Sequence, residues 1–136
     1  MSGQDNADHL PEPANRLAAY GTLQPGESNH DQLAEIDGVW LAATVRGHFW
    51  LWESGPYEGL PAFRRALDGE DVPVTVLLSD DLGHHWARLD AFEGPGYERV
   101  MATVTLIDEQ GKRVGPLAAQ LYEARTDDPN ELTSRW

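Results

Sequence analysis

Residues 17–26 read "LAAYGTLQPG". Four apolar or aromatic residues, Leu17 to Tyr20, run straight into a segment holding two glycines and a proline. Arg16 to Tyr20 has the length and composition of a short buried strand, and Gly21 stops it. The segment after it is either a plain turn or a cradle of successive backbone N–H groups. Gly21 suits both, because it has no Cβ to block a sharp bend or the close approach of an anion. On these residues alone the two readings stay open.

Working outward, residues 1–15 are polar and acidic with two prolines, and are expected to be a disordered leader. Downstream, "ESNHDQLAEIDG" predicts a short helix capped by Ser28 or Asn29. Leu33 and Ile36 lie on its buried face, and Gly38 is its stop. "WLAATVRGHFWLWE" predicts a strand, with Val45, Gly47, Phe49 and Leu51 alternating against Arg46, His48, Trp50 and Trp52. Bulk on both faces implies cover on both sides. "ESGPYEGLPAFRRALDGED" reads as an irregular excursion, and "VPVTVLLS" as a further strand. "YERVMATVTLID" alternates with Val100, Ala102, Val104 and Leu106 on one face. "DEQGK" is its turn and "LAAQLYEA" its hairpin partner. Residues 126–136 read as a C-terminal tail, with Trp136 a candidate for docking. The expected organisation is one domain over residues 16–125. Its class is α+β, built on a curved or barrel-like sheet.

The chain has 136 residues, enough for one domain with a real core. It has no cysteine, which excludes disulfides, thiolate metal sites and a thiol nucleophile. The formal charge is −13, and Lys112 is the only lysine. Such a surface repels phosphate backbones and anionic membranes, so neither nucleic acid nor membrane is an expected partner. Plain solubility explains the charge better than adaptation to high salt. No apolar run approaches the roughly 20 residues that span a bilayer, and the start is unlike a signal peptide. A cytoplasmic location is the expectation.

"DDLGHHWARLDAFEGPG" is the most informative segment. Asp80 or Asp81 offers an N-cap, and Gly94 with Pro95 a stop. Leu82, Trp86 and Leu89 follow helical spacing and mark the inward stripe. Glu93, four residues after Leu89, falls on that stripe at the helix's C-terminal end. Burial and the negative end of the helix dipole both disfavour its charge and raise its pKa. That suits a carboxyl that takes and returns a proton near neutral pH. The structural alternative is a last-turn glutamate that reaches water or pairs with Arg88 or Arg99. Asp90 lies on the flank of the stripe, where it is expected to be solvated or paired.

"YGTLQPG" followed about seventy residues later by "LDAFEGPGYERV" resembles the gamma-glutamylcyclotransferase-like family. Its first motif falls on Tyr20, Gly21, Thr22 and Leu23, and its second on Leu89, Asp90, Glu93, Tyr97 and Arg99. The resemblance runs from about Leu17 to Ala124. It implies a small mixed β-barrel with flanking helices and a cavity at its mouth. It favours the cradle at residues 20–23, whose amides would take the carboxylate of a gamma-glutamyl substrate. It assigns the catalytic acid/base to Glu93 and adds Tyr97 and Arg99 to the substrate site. Arg99 follows Tyr97 on the same strand face, where it either pairs with a carboxylate or orients Glu93. The implied reaction closes a 5-oxoproline ring within one molecule and frees an amine, with no metal, cofactor or covalent intermediate. Where the family commonly has glycine-glutamate, this chain has Val74 and Thr75, which bears on the cavity wall and on substrate identity.

Other residues weigh less. His84 and His85 are adjacent helix positions, about 100° apart, so surface placement is expected rather than a shared metal. Trp50, Trp52 and Trp86 suit core or cavity wall. Tyr57 and residues 59–61 sit in the long excursion, which could close over a site. Tyr122 is expected near the cavity. The leading function is a gamma-glutamylcyclotransferase-like enzyme. The alternatives are a non-catalytic binder of a small carboxylate metabolite, and hydrolysis or acyl transfer on a related amide. The leaving amine and the oligomeric state are not encoded in any motif.

Overall fold

The computed structural model describes residues 11–21, 24–27 and 30–125, and the backbone of residues 132–134. The strands are β1 (Arg16–Ala19), β2 (Val39–Trp52), β3 (Pro61–Arg65), β4 (Glu70–Leu78), β5 (Tyr97–Ile107), β6 (Arg113–Ala124) and β7 (Leu132–Ser134). The helices are α1 (Asp31–Ala34) and α2 (Trp86–Glu93), with 3-10 turns at Pro13–Asn15 and Leu82–His84.

β2 organises the sheet. Its first part pairs antiparallel with β4 from Val39↔Leu78 to Gly47↔Glu70, and it closes onto β5 at Ala43↔Leu106 and Thr44↔Thr105. β4 carries β1, β1 runs parallel to β6 at Leu17↔Gln120, and β6 returns to β5 through the hairpin at residues 108–112. The circuit β2-β4-β1-β6-β5 is a closed five-stranded mixed barrel. Closure leaves those strands no open edge along the circuit. The second part of β2 runs on beyond it and carries β3 and β7.

Period-2 alternation sorts the side chains into two cores. Val72, Val74, Val76 and Leu78 join Ala102, Val104, Leu117, Ala119, Leu121 and Phe63 inside the barrel. The opposite faces present Leu17, Ala19, Leu77, Tyr97, Tyr122 and Ala124 to the helical residues Leu33, Leu82, Trp86 and Leu89. The candidate site lies at this second layer, between α2 and the outer barrel wall. Burying one leucine such as Leu89 contributes roughly 2 kcal/mol, so the layer holds α2 firmly.

The structure departs from the sequence expectations in five places. β3 lies within the excursion read as irregular, because Ala62 and Phe63 are fully buried against β2. The tail read over residues 126–136 contains β7, paired to β2 at Trp50↔Ser134. Residues 11–15 of the expected leader are packed down. The Asn15 carbonyl accepts from the Ser79 amide, and the Ala14 carbonyl accepts from the Trp86 indole at 2.7 Å. Those bonds also explain the fourth departure, since α2 starts at Trp86 and not after Asp80 or Asp81. Asn15 Oδ1 takes the Gly83 amide, and Ser79 Oγ takes the amide of Asp81, which makes no side-chain cap. Finally, α1 spans four residues rather than the whole predicted stretch, with Leu33 and Ile36 buried as its spacing required. Its proposed caps, Ser28 and Asn29, lie outside the described residues.

Candidate functional site

Glu93 is the last residue of α2, and Gly94 follows at φ 83°. Its placement follows from the helix pattern, because Trp86 and Leu89 are buried and carry the same face inward. The carboxyl is half-buried and makes no hydrogen bond or ion pair with another described residue. Burial pushes its pKa up first, and the charge of Asp90 one turn earlier adds to it, to about 7. A dry carboxylate without a donor is costly, and it lowers that cost by binding a proton.

Three tyrosines stand close enough to feel that charge. Tyr20, Tyr97 and Tyr122 are all held above the ordinary phenol pKa, chiefly by burial, with Glu93 contributing to each. All three stay neutral donors, yet each proton goes elsewhere. Tyr20 donates to the Tyr122 carbonyl at 2.6 Å, Tyr122 donates to Asp90 Oδ1 at 2.7 Å, and Tyr97 donates to the Pro61 carbonyl. Tyr97 in turn accepts from the Trp52 indole at 3.0 Å. Three neutral phenols thus lie within electrostatic reach of Glu93, and none of them donates to it.

Gly21 approaches this cluster through Pro61. It has φ +70°, and a Cβ there would meet Pro61 Cγ at 2.7 Å. No side chain fits, which is the physical reason for glycine after β1. Tyr20 and Gly21 line a cleft of about 250 Å³ with Gln24, Glu27, Phe49, Val72 and Pro73. Thr22 and Leu23, the other half of the expected cradle, lie outside the described residues. Val74 points into the barrel, while Thr75 lies on the opposite face, in register with Ala19 of β1.

Of the two roles open to Arg99, pairing with a carboxylate is the one that forms, and the carboxylate is Asp90 rather than Glu93. Arg99 donates to both oxygens of Asp90, at 2.9 and 3.3 Å, and its guanidinium lies 4.3 Å from the centre of the Trp86 ring. The reason is strand direction: Arg99 sits two residues beyond Tyr97, beside the flank of α2 that Asp90 occupies. Arg88, the other candidate partner, reaches Gln32 instead. Burial alone would raise the Asp90 pKa, but the bonds from Arg99 and Tyr122 outweigh it and hold the carboxyl below its usual value. Asp90, Tyr97, Arg99 and Tyr122 line a second cleft of about 600 Å³ with Arg125. Two carboxyls three residues apart are thus pushed in opposite directions by their surroundings.

Tyr57, which the sequence places in the excursion that could close over a site, packs against the turn that ends α2. Its hydroxyl accepts from the Gly96 amide at 2.9 Å, and its ring packs on Trp52 and Tyr97. A Cβ at Gly94 or Gly96 would come within 2.4 Å of it. The excursion is therefore docked on the turn that ends α2. An aromatic isolated in a Gly/Pro-rich stretch was the available signal. Tyr57→Phe removes the acceptor and leaves the Gly96 amide without its side-chain partner. Chemical denaturation should register a loss of about 1 kcal/mol.

Among the described residues no cluster of three or more His, Asp or Glu side chains is placed to hold a metal. His84 is exposed, and His85 meets Arg88. No helix among them is long and apolar enough to cross a membrane.

The family model described as gamma-glutamyl cyclotransferase, AIG2-like, matches residues 17–136. The crystal structure of a Mus musculus AIG2-like protein is similar, with a TM-score of 0.64 and 22% identity over 89% of this chain and 85% of that one. An Arabidopsis thaliana protein solved in solution is similar with a TM-score of 0.62 and 24% identity, over 90% of this chain and 76% of its own. YkqA of Bacillus subtilis is 27% identical with a TM-score of 0.59, over 82% of this chain but only 36% of YkqA. No curated protein matches the chain significantly.

Proposed function

The chain belongs to the gamma-glutamyl cyclotransferase, AIG2-like family, and from that premise we propose that it converts a gamma-glutamyl amine or amide into 5-oxoproline and the free amine. The observation that carries the proposal is Glu93: a half-buried carboxyl with no bond to another described residue and a pKa raised to about 7, within electrostatic reach of three neutral phenols. In the forward direction its carboxylate takes a proton from the substrate's alpha-ammonium group. The freed amine attacks its own gamma-carbonyl carbon, so that a C–N bond forms and the carbonyl oxygen becomes an oxyanion. Glu93 then gives the proton to the departing nitrogen as the original amide bond breaks, and its regenerated carboxylate takes the surplus proton from the ring nitrogen and passes it to the freed amine, which leaves as an ammonium ion. One carboxyl serves both steps only if its pKa lies near the working pH. Because the nucleophile and electrophile belong to one molecule, holding the folded-back conformer supplies much of the acceleration. Gly21 and the loop it opens are assigned to the substrate carboxylate, and Tyr97 to the wall of the site.

Release of 5-oxoproline from a panel of gamma-glutamyl amines, amino acids and peptides tests this directly. Binding without product from any member would overturn it in favour of a carboxylate binder.

The pH profile is a second test. The base form of Glu93 must be present, so kcat/KM is expected to rise with pH through a limb near 7. Asp90→Asn removes the neighbouring negative charge and frees the Arg99 guanidinium. Both changes lower the Glu93 pKa, so the limb should move to lower pH while turnover falls by less than about tenfold. A limb that stays fixed in Asp90→Asn would mean that another group titrates.

A further inference from the structure

Gln24 and Thr75 form a link that neither the family pattern nor the mechanism above uses. Thr75 pairs with Ala19, the last residue of β1, so its side chain stands where the chain leaves the sheet. Its hydroxyl donates to Gln24 Oε1 at 2.9 Å. The other end of the same amide, Nε2, donates to the Gly21 carbonyl at 3.4 Å, and the Gln24 backbone amide reaches that carbonyl at 3.3 Å. The Gly21 carbonyl is an obligate acceptor, so the amide's NH₂ must face it. Oε1 then faces Thr75, which makes the hydroxyl the donor. Gly21 is held from its other side by Pro61, whose ring fills the space of the missing Cβ.

We infer that Gln24 and Thr75 are positioning residues, which hold the Gly21 carbonyl and with it the wall of the cleft formed by Tyr20, Gly21 and Gln24, where the substrate carboxylate would be received. The link is neutral at both ends. Its side-chain contact on Gly21 is long at 3.4 Å, so the Gln24 amide depends on the Thr75 hydroxyl to hold it there. The inference rests on the gamma-glutamyl reading for its kinetic consequence, but not for the clamp itself.

The test compares wild type with Thr75→Val, Gln24→Ala and Thr75→Ser. It measures steady-state kinetics on a turned-over gamma-glutamyl amine and amide hydrogen exchange of the segment after β1. Thr75→Val keeps the shape and removes the donor. KM is expected to rise on the order of tenfold, with a smaller change in kcat, and exchange should quicken. Gln24→Ala should do the same, and Thr75→Ser, which keeps the hydroxyl, should restore both. A purely structural role would lower the melting temperature without dividing KM from kcat. Wild-type KM and exchange in Thr75→Val would overturn the clamp. If wild type releases no 5-oxoproline from any substrate, the functional reading fails. Exchange then decides the clamp alone: faster in Thr75→Val supports it, and unchanged refutes it.

Discussion

Glu93→Gln is expected to lose turnover on the order of 10²–10⁴-fold while remaining folded and becoming more stable at neutral pH. The substitution keeps size and shape but cannot cycle a proton. The stability gain follows from linkage. In the folded protein the Glu93 pKa is about 7, above its ordinary value of 4.5. Folding therefore favours the protonated form, and its contribution is complete below the unfolded value. It is lost as pH rises through about 7. Glutamine has nothing to ionise and escapes that loss. The mutant and wild type should unfold alike at pH 4, with the mutant ahead at pH 8 by roughly 3 kcal/mol. Denaturation at the two pH values, beside a 5-oxoproline assay, reads both effects. Equal turnover in folded Glu93→Gln would sink the mechanism. A mutant less stable at pH 8 would instead mean that the carboxylate anchors a partner, an arrangement the geometry around Arg88 and Arg99 does not provide.

The difference between Glu93 and Asp90 was partly legible in the sequence. Helical spacing from Leu82, Trp86 and Leu89 puts Glu93 on the inward stripe and Asp90 on its flank, and the structure keeps that distinction. What spacing cannot supply is which strand residue meets that flank. Arg99 goes to Asp90 because β5 presents it there, and Tyr122 joins from β6, which follows β5 in the chain. The barrel's long strands were legible because alternation is a local property of each. β3 and β7 were not, because they depend on the far half of β2 for partners, and a five-residue run with one buried pair carries little periodicity. Gly21 was legible as a special position but not in its cause. Its neighbour Pro61 is forty residues away in sequence, and only the register of β3 on β2 brings it near.

Arg65→Met is expected to destabilise the fold far more than Glu123→Gln, although the two residues form one ion pair. Arg65 Nε meets Glu123 Oε2 at 2.7 Å, and the side chains are 44% and 8% exposed. The asymmetry decides the outcome. Removing the carboxylate leaves a guanidinium that water can reach, still able to donate to the Met101 carbonyl. Removing the guanidinium leaves a charge sealed against β3 with only the residue 65 backbone amide, at 2.8 Å, as donor. Breaking a buried pair from the exposed side typically costs 3–5 kcal/mol, and the retained amide argues for about 3 here. Glu123→Gln, which keeps an acceptor for that amide, should cost about 1. At this chain length 3 kcal/mol corresponds to a fall of roughly 10 °C in Tm. The double variant Arg65→Met/Glu123→Gln should recover about 2 kcal/mol relative to Arg65→Met alone, because the stranded charge is gone. Urea denaturation of the four proteins measures the cycle. If the single variants are equally unstable and the double is their sum, Glu123 is solvated in solution and the pair does not clamp β3 to β6.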